Sequence, residues 1–239
     1  MASGIFNIIL NMIYPPRCPV CDGARPVKAP PICPECYRRL VPVGDIYCLK
    51  CGKPLGDDSQ MLCEDCTKWE HSYIEGRAVF VYNDAMRRSV YRLKYNGRRE
   101  YATVYGTIMG EVLAKKIAEW NADAIIPVPA HKARQKKRGY NQAKLIANAV
   151  SKVVKVPVKD GIVTRSKSTT VQKNLSATDR RNNLKNAFKI GGDVVKLNSV
   201  IIVDDIYTTG STIDGVTDCL HRAGVRDVYY IALSIGTGI

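Results

Sequence analysis

Nowhere in its 239 residues does the chain approach the ~20 consecutive apolar residues that a membrane-spanning helix requires. The opening GIFNIILNMIYPP is apolar but short. It has no basic leading segment and no small-residue cleavage site, so it does not read as a signal peptide. Ile5, Ile8, Ile9, Met12 and Ile13 share one helical face, expected to pack on the protein's own body. Carboxylates are the second shortage: 22 Asp and Glu against 36 Lys and Arg leave a formal net charge of +14. A surface this short of acids favours polyanions, whether nucleic acid, phosphorylated metabolites or an anionic membrane, without choosing among them. Phenylalanine is also scarce, three residues against 13 tyrosines, so most aromatic rings carry a polar tip. With 46% hydrophobic and 24% charged residues the chain can still bury a core, which excludes a disordered polyelectrolyte.

Cysteine is plentiful and ordered. Eight of the nine form CxxC pairs, Cys18/Cys21, Cys33/Cys36, Cys48/Cys51 and Cys63/Cys66, whose first members recur every 15 residues. Two intervening residues let both sulfurs of a tight turn face one ion, and two such turns complete a tetrahedral four-cysteine zinc site. CPVCDG, CPEC and CLKCGKP place Pro or Gly where a tight knuckle needs them. Disulfides would suit an exported protein, and nothing in the sequence indicates export. The expectation is two structural zinc ions; the spacing does not fix which knuckles partner, and sequential pairing, the first with the second and the third with the fourth, is preferred over a cross-brace. Thiolates on zinc would lower the positive charge without reversing it. Few apolar residues lie between the knuckles, so metal is expected to supply most of this region's folding energy. Cys219, the ninth, falls in a helical pattern and reads as a small buried apolar residue.

The pattern changes near residue 76. Residues 77–82 alternate as a strand, followed by helices over 84–94 and 103–120. Residues 123–130 read as a buried strand ended by prolines. A helical stripe of Ala143, Ile146, Ala147, Val150, Val153 and Val154 begins at Asn141, a good N-cap. Strand 200–203, a helix from about Thr212 to Gly224, and strand 228–233 complete the series. Strands alternating with helices imply a mostly parallel sheet covered on both faces, with ligands at the carboxyl ends of the strands. Two domains are expected, 1–75 and 76–239.

At one such strand end stands VIIVDDIYTTGST, residues 200–212. Asp204 and Asp205 can accept hydrogen bonds from neighbouring hydroxyls of a ribose. Thr208, Thr209, Ser211 and Thr212 add hydroxyls at a helix N-terminus, where free amides and the dipole favour phosphate, and Gly210 lets backbone approach the anion. Singly, each feature is as well explained by capping or turn solvation. In this order they suggest a phosphorylated ribose.

The stretch resembles, along its whole length, the phosphoribosyl-pyrophosphate (PRPP) motif of type I phosphoribosyltransferases. By that resemblance Asp204 and Asp205 hold the ribose 2′ and 3′ hydroxyls and Thr208 to Thr212 the 5′-phosphate. Pro127, Val128, Pro129 and Ala130 stand where that family has its pyrophosphate loop, and magnesium would bridge pyrophosphate and ribose oxygens. Members acting on 6-oxopurines carry a carboxylate where this chain has Thr208, which argues against such a substrate. PVPAHKARQKKRGYNQA and VQKNLSATDRRNNLKNAF, with knuckles before and the PRPP motif behind, resemble the ComF family of competence-type proteins over nearly the whole chain. The matching positions are Pro127, Pro129, Arg138, Gly139, Asn141, Gln142, Gln172, Leu175, Arg180, Asn183 and Phe188. The resemblance implies an α/β fold with a mostly parallel sheet of type I phosphoribosyltransferase type, preceded by a small four-cysteine zinc-ribbon domain. It implies a cytoplasmic protein, able to work at the inner face of the membrane, that binds PRPP and handles single-stranded DNA during uptake alongside other DNA-uptake proteins. The alternative is an active phosphoribosyltransferase transferring ribose 5-phosphate to a base or amine, with Asp204 and Asp205 positioning the ribose; no residue reads as a general base for an acceptor.

Three basic stretches are candidates for the nucleic acid. On the first helix Arg88, Tyr91, Arg92 and Tyr95 share a stripe, while Met86, Val90 and Leu93 point to a core, and Lys94 and Arg98 extend the charge. Arginines beside tyrosines suit single strands, whose bases stack while phosphates meet guanidinium groups; a solvated helix face would look the same. Lys136, Lys137 and Arg138 follow the pyrophosphate-type loop and suit PRPP equally well. The third stretch, 165–189, holds Arg165, Lys167, Lys173, Arg180, Arg181, Lys185 and Lys189; residues 164–183 have few apolar residues and read as a lid or loop, in the place where phosphoribosyltransferases have a mobile lid.

Overall fold

The computed structural model describes residues 14–165 and 187–237. The apolar face of residues 5–13 and most of the polar stretch 164–183 lie outside the described residues. The two ribbons come first. Short helices α1 (Pro34–Tyr37) and α2 (Glu64–Lys68) each start directly after the cysteine that opens a knuckle, Cys33 and Cys63. The α/β body then runs β1 (Gly76–Val81), α3 (Asp84–Tyr95), α4 (Glu100–Val112), α5 (Ala114–Trp120), β2 (Ala124–Pro127), α6 (Lys132–Arg138) and α7 (Gln142–Val154). A two-stranded antiparallel ribbon, β3 (Val163–Arg165) and β4 (Phe188–Ile190), precedes β5 (Ser199–Tyr207), α8 (Ser211–Arg222) and β6 (Asp227–Ile235).

The main sheet is parallel, in the order β1-β6-β5-β2. Its outer edges are not left open. Residues 41–43 cover β1, where the Val43 and Val81 amides donate to the Val79 and Val41 carbonyls. Residues 157–159 cover β2 through the Ile125 and Lys159 amides. Covered edges remove the unpaired backbone that invites pairing with another chain.

Local signals account for most elements. Asn83 caps α3 by accepting from the Met86 amide at 3.0 Å, and Met86, Val90 and Leu93 are buried as their spacing requires. Asn141 caps α7 in the same way through Ala143. Helix α4 packs on α7 at glycine: a Cβ on Gly106 would stand 2.5 Å from the Ala149 Cβ. Three expectations shift. The helix expected over 103–120 is two, divided at Leu113, whose ψ of 6° leaves the helical region. The strand expected over 123–130 is shorter, Ala124–Pro127, with one further ladder bond from the Val128 amide to the Val203 carbonyl. The strand expected over 200–203 continues to Tyr207, because pairing with β6 continues through Tyr207 opposite Ile235.

The ribbons are not peripheral. Cys18, Val20, Ile32, Cys36 and Leu40 share one core with Phe80, Met86, Leu93 and Tyr105. Cys48, Cys51 and Cys63 share the other with Tyr73, Tyr207 and Tyr230. Burial therefore crosses the expected boundary at 75/76.

Candidate functional site

Two cysteine clusters are assembled as expected. Cys18, Cys21, Cys33 and Cys36 form one and Cys48, Cys51, Cys63 and Cys66 the other, with the sulfurs of each within 4.8 Å of one another. Sulfur–sulfur separations of 3.5, 3.7 and 3.9 Å occur among them. Four thiolates at Zn–S distances of about 2.3 Å on a tetrahedron stand about 3.8 Å apart, so both sets fit zinc. All nine cysteines are free thiols, and the sequential partnering holds. A zinc ion held by all four sulfurs of a set would be structural, with no open catalytic position. Cys219 is buried in α8.

The acid pair lies at the carboxyl end of β5. Parallel pairing of β2 with β5 sets Pro127 opposite Val203, and the Val128 amide donates to the Val203 carbonyl at 2.9 Å. The loop Pro127 to Ala130 therefore stands beside Asp204. Asn141 holds that loop, its side-chain amide donating to the Val128 carbonyl at 3.0 Å. Asp204 and Asp205 are buried, 9% and 4% exposed. Burial, and then the charge and hydrogen bond of Asp205, push the Asp204 carboxyl well above the usual carboxylate range. Burial also opposes ionisation of Asp205. The Lys94 ammonium, with hydrogen bonds from Asp204 and Gln142, outweighs it and holds Asp205 below the usual value. Ionisation of the pair is thus opposed at Asp204 and favoured at Asp205, the one that Lys94 holds.

Lys94, named with the nucleic-acid candidates, belongs to this pocket. Its side chain is only 19% exposed, and its ammonium is ion-paired with Asp205. Further cations gather near by. Burial and then the charge of Arg134 lower the Arg165 pKa, while Asp204 opposes them, so all three groups are within electrostatic reach. Arg138 donates to the Gln142 side chain at 2.6 Å.

The turn after β5 has an unencumbered start. Gly210 is the N-cap of α8, with φ of 77°, and no side chain caps the helix. The Thr209 and Ser211 hydroxyls bond each other at 2.8 Å and leave the first amides of α8 to other acceptors. Thr208 is exposed, and Thr209 and Thr212 are half-buried. Beneath the turn lies a cluster the sequence did not announce. His71 bonds Asp214 through Nδ1 at 2.9 Å and stacks on Tyr73, while the Tyr73 and Tyr207 hydroxyls meet at 2.7 Å. A Cβ at residue 210 would fall 2.6 Å from the Tyr207 hydroxyl and 2.7 Å from the His71 ring, so glycine is required there for space as well as for φ. The Tyr230 hydroxyl donates to the Cys51 carbonyl at 2.6 Å, which joins this floor to the second ribbon.

The remaining nucleic-acid candidates divide. Arg88, Lys136 and Lys137 are exposed. Tyr91 and Tyr95 are each 57% exposed, with ring centroids 4.8 Å apart, and Arg138 lies 4.9 Å over the Tyr95 ring. Arg92 and Arg98 instead fasten the first knuckle: Arg92 donates to the Val20 carbonyl at 2.6 Å, and Arg98 pairs with Asp22 at 3.0 Å. Among the described residues no helix is long and apolar enough to cross a membrane.

Comparison with known proteins gives two family matches, a double zinc ribbon domain over residues 9–67 and a phosphoribosyl transferase domain over residues 108–235. Competence protein F of Haemophilus influenzae is 32% identical over 219 residues, covering 89% of this chain and 93% of that one. Competence protein ComFC of Bacillus subtilis is 26% identical over 202 residues, 81% and 79% of the two chains. The DNA utilization protein YhgH of Escherichia coli O157:H7 is 32% identical over 200 residues, 82% and 87% of the two chains.

Proposed function

This chain belongs to the ComF family, in which a double zinc ribbon is joined to a phosphoribosyl transferase domain, and we propose that it binds magnesium-PRPP and handles single-stranded DNA during DNA uptake. One observation carries the first half of that reading. A buried acid pair, a proline-bounded loop and an uncapped helix N-terminus converge at the ends of two neighbouring strands. A ribose carrying phosphates at both ends needs these three kinds of group.

In the bound state Asp204 and Asp205 accept the ribose hydroxyls. The turn from Thr208 to Thr212 takes the 5′-phosphate on amides and hydroxyls. The loop from Pro127 to Ala130 lies along the pyrophosphate, with Arg134, Lys136, Lys137 and Arg138 supplying positive charge from α6. Magnesium, when present, would neutralise pyrophosphate oxygens; hard oxygen ligands of this kind suit it. Two adjacent buried carboxylates oppose each other's ionisation, and in the ligand-free pocket Lys94 supports that of Asp205. The ligand must therefore share or displace Lys94, which makes binding an exchange of partners.

The second half rests on charge and surface chemistry: a formal charge of +14, and an exposed tyrosine pair flanked by arginines on α3. The names of the relatives, competence protein and DNA utilization protein, support the same direction. The test is a salt titration of binding to a single-stranded oligonucleotide, with and without magnesium-PRPP. Several phosphate contacts should give a log–log slope of about −0.7 for each. A flat response would remove the electrostatic capture on which DNA handling depends. Pyrophosphate release from PRPP across a panel of bases and amines, measured in the same samples, separates a binder from a working transferase.

A further inference from the structure

Two cavities, of about 680 and 330 Å3, open side by side against the outer face of α3 and share Arg88 and Arg92 as walls. The larger is closed on one side by Val20, Cys21 and Arg39 of the first ribbon and on the other by the start of α3. The smaller continues along the helix past Arg87, Tyr91 and Asn96. Together they make a trough whose walls carry four arginines. Among the described lining residues Asp84 is the one carboxylate, and Arg87 already pairs with it at 2.9 Å.

The ribbon's arginine is held in place by backbone. Asn83, besides capping α3, donates its side-chain amide to the Arg39 carbonyl at 2.8 Å, and the Arg39 amide donates to the Cys36 carbonyl at 3.1 Å. Arg92 secures the floor through the Val20 carbonyl. These bonds leave the exposed guanidinium groups of Arg39 and Arg88 on either side of one channel. Tyr91 lies in the trough, and Tyr95 with Arg138 above it stands at its far end.

We propose that the first zinc ribbon and α3 form a single nucleic-acid trough, in which Arg39 and Arg88 take successive phosphates of a single strand and Tyr91 and Tyr95 stack its bases. The occupant is a single strand because exposed rings at this spacing require unpaired bases, and the walls are cationic where the backbone must run. This rests on the nucleic-acid half of the proposed function and adds a residue that the stripe on α3 does not contain. The ribbon becomes a wall of the binding surface as well as a folded scaffold.

The test uses the full zinc-loaded chain, fluorescent single-stranded oligonucleotides and four variants. Arg39→Ala and Arg88→Ala should each weaken binding and flatten the salt dependence by about 0.7 in log–log slope, one phosphate contact apiece. Tyr91→Ala should lower affinity by about tenfold or more and leave the slope unchanged. Arg226→Ala, an exposed arginine beside the first residue of β6, should change neither. Arg39 bonds the body through its backbone, so its variant keeps the Asn83 contact, and an unchanged melting temperature verifies the fold. If the wild type binds but Arg39→Ala behaves like Arg226→Ala, the trough is wrong and the nucleic-acid reading stands without it. If the wild type itself shows no salt-dependent binding, the nucleic-acid reading fails.

Discussion

Asp204→Asn should stabilise the ligand-free protein and abolish its response to magnesium-PRPP. Asp204 is buried beside a second carboxylate whose lysine partner it does not own, so its charged form is disfavoured in the fold. A group with a raised folded pKa keeps a proton that the unfolded chain releases. Its contribution to stability is greatest below the ordinary carboxylate range and falls as pH rises from about 4 toward the folded value. Asp205 has the opposite sign, a lowered pKa whose benefit is present at neutral pH and lost only on strong acidification. Of this pair, only Asp204 loses stability as pH rises above the ordinary carboxylate range. Asparagine has the shape of the protonated acid and never ionises, so it removes that decline. The gain should be on the order of 1–3 kcal/mol at pH 7, the usual scale for a buried polar group relieved of its penalty. For a chain of this size that is a rise in melting temperature of roughly 2–4 °C per kcal/mol. Melts of wild type and variant compared at each pH cancel the pH dependence of the zinc sites. An Asn variant less stable than wild type at every pH, or one still stabilised by magnesium-PRPP, would refute the argument.

Removing zinc should lower the melting temperature of the whole chain, since knuckle cysteines belong to both cores, and metal analysis should find about two zinc ions per chain. A separate ribbon transition with an unchanged main melt would contradict this. His71→Ala should weaken ribose 5-phosphate binding more than pyrophosphate binding, because the ring lies under the Gly210 turn and away from the Pro127 loop; equal losses would deny it a local role. Gly106→Leu should destabilise by about 1–3 kcal/mol or more in chemical denaturation, since even a Cβ there meets Ala149 and the Ile146 carbonyl. Tolerance of leucine would show that α4 and α7 do not pack as described.

Features written in local sequence were legible. The 15-residue repeat marked the knuckles but not which of them partner, and hydrophobic runs marked the four strands of the main sheet but not the β3–β4 ribbon. Asn141 marked the start of α7, and the order of acids, hydroxyls and glycine marked the turn into α8. Features that depend on which distant surface a side chain meets were not. Lys94, Arg92 and Arg98 occur within seven residues and look alike as helical cations, yet one neutralises Asp205 and the other two clamp the first ribbon. The charge pattern is identical whether a helix faces water or another part of the chain. His71 likewise sits five residues past the last knuckle with no local mark, and its partner Asp214 is 143 residues away. The shared burial of ribbons and body was illegible for the same reason: nothing local marks the knuckle cysteines as completing cores built mostly by the body.

The most direct measurement is isothermal titration of magnesium-PRPP into the zinc-loaded wild type and into Asp205→Ala. The account predicts saturable binding at one site per chain in the wild type and none in the variant. Equal binding by both proteins, or no heat of binding in the wild type, would contradict it.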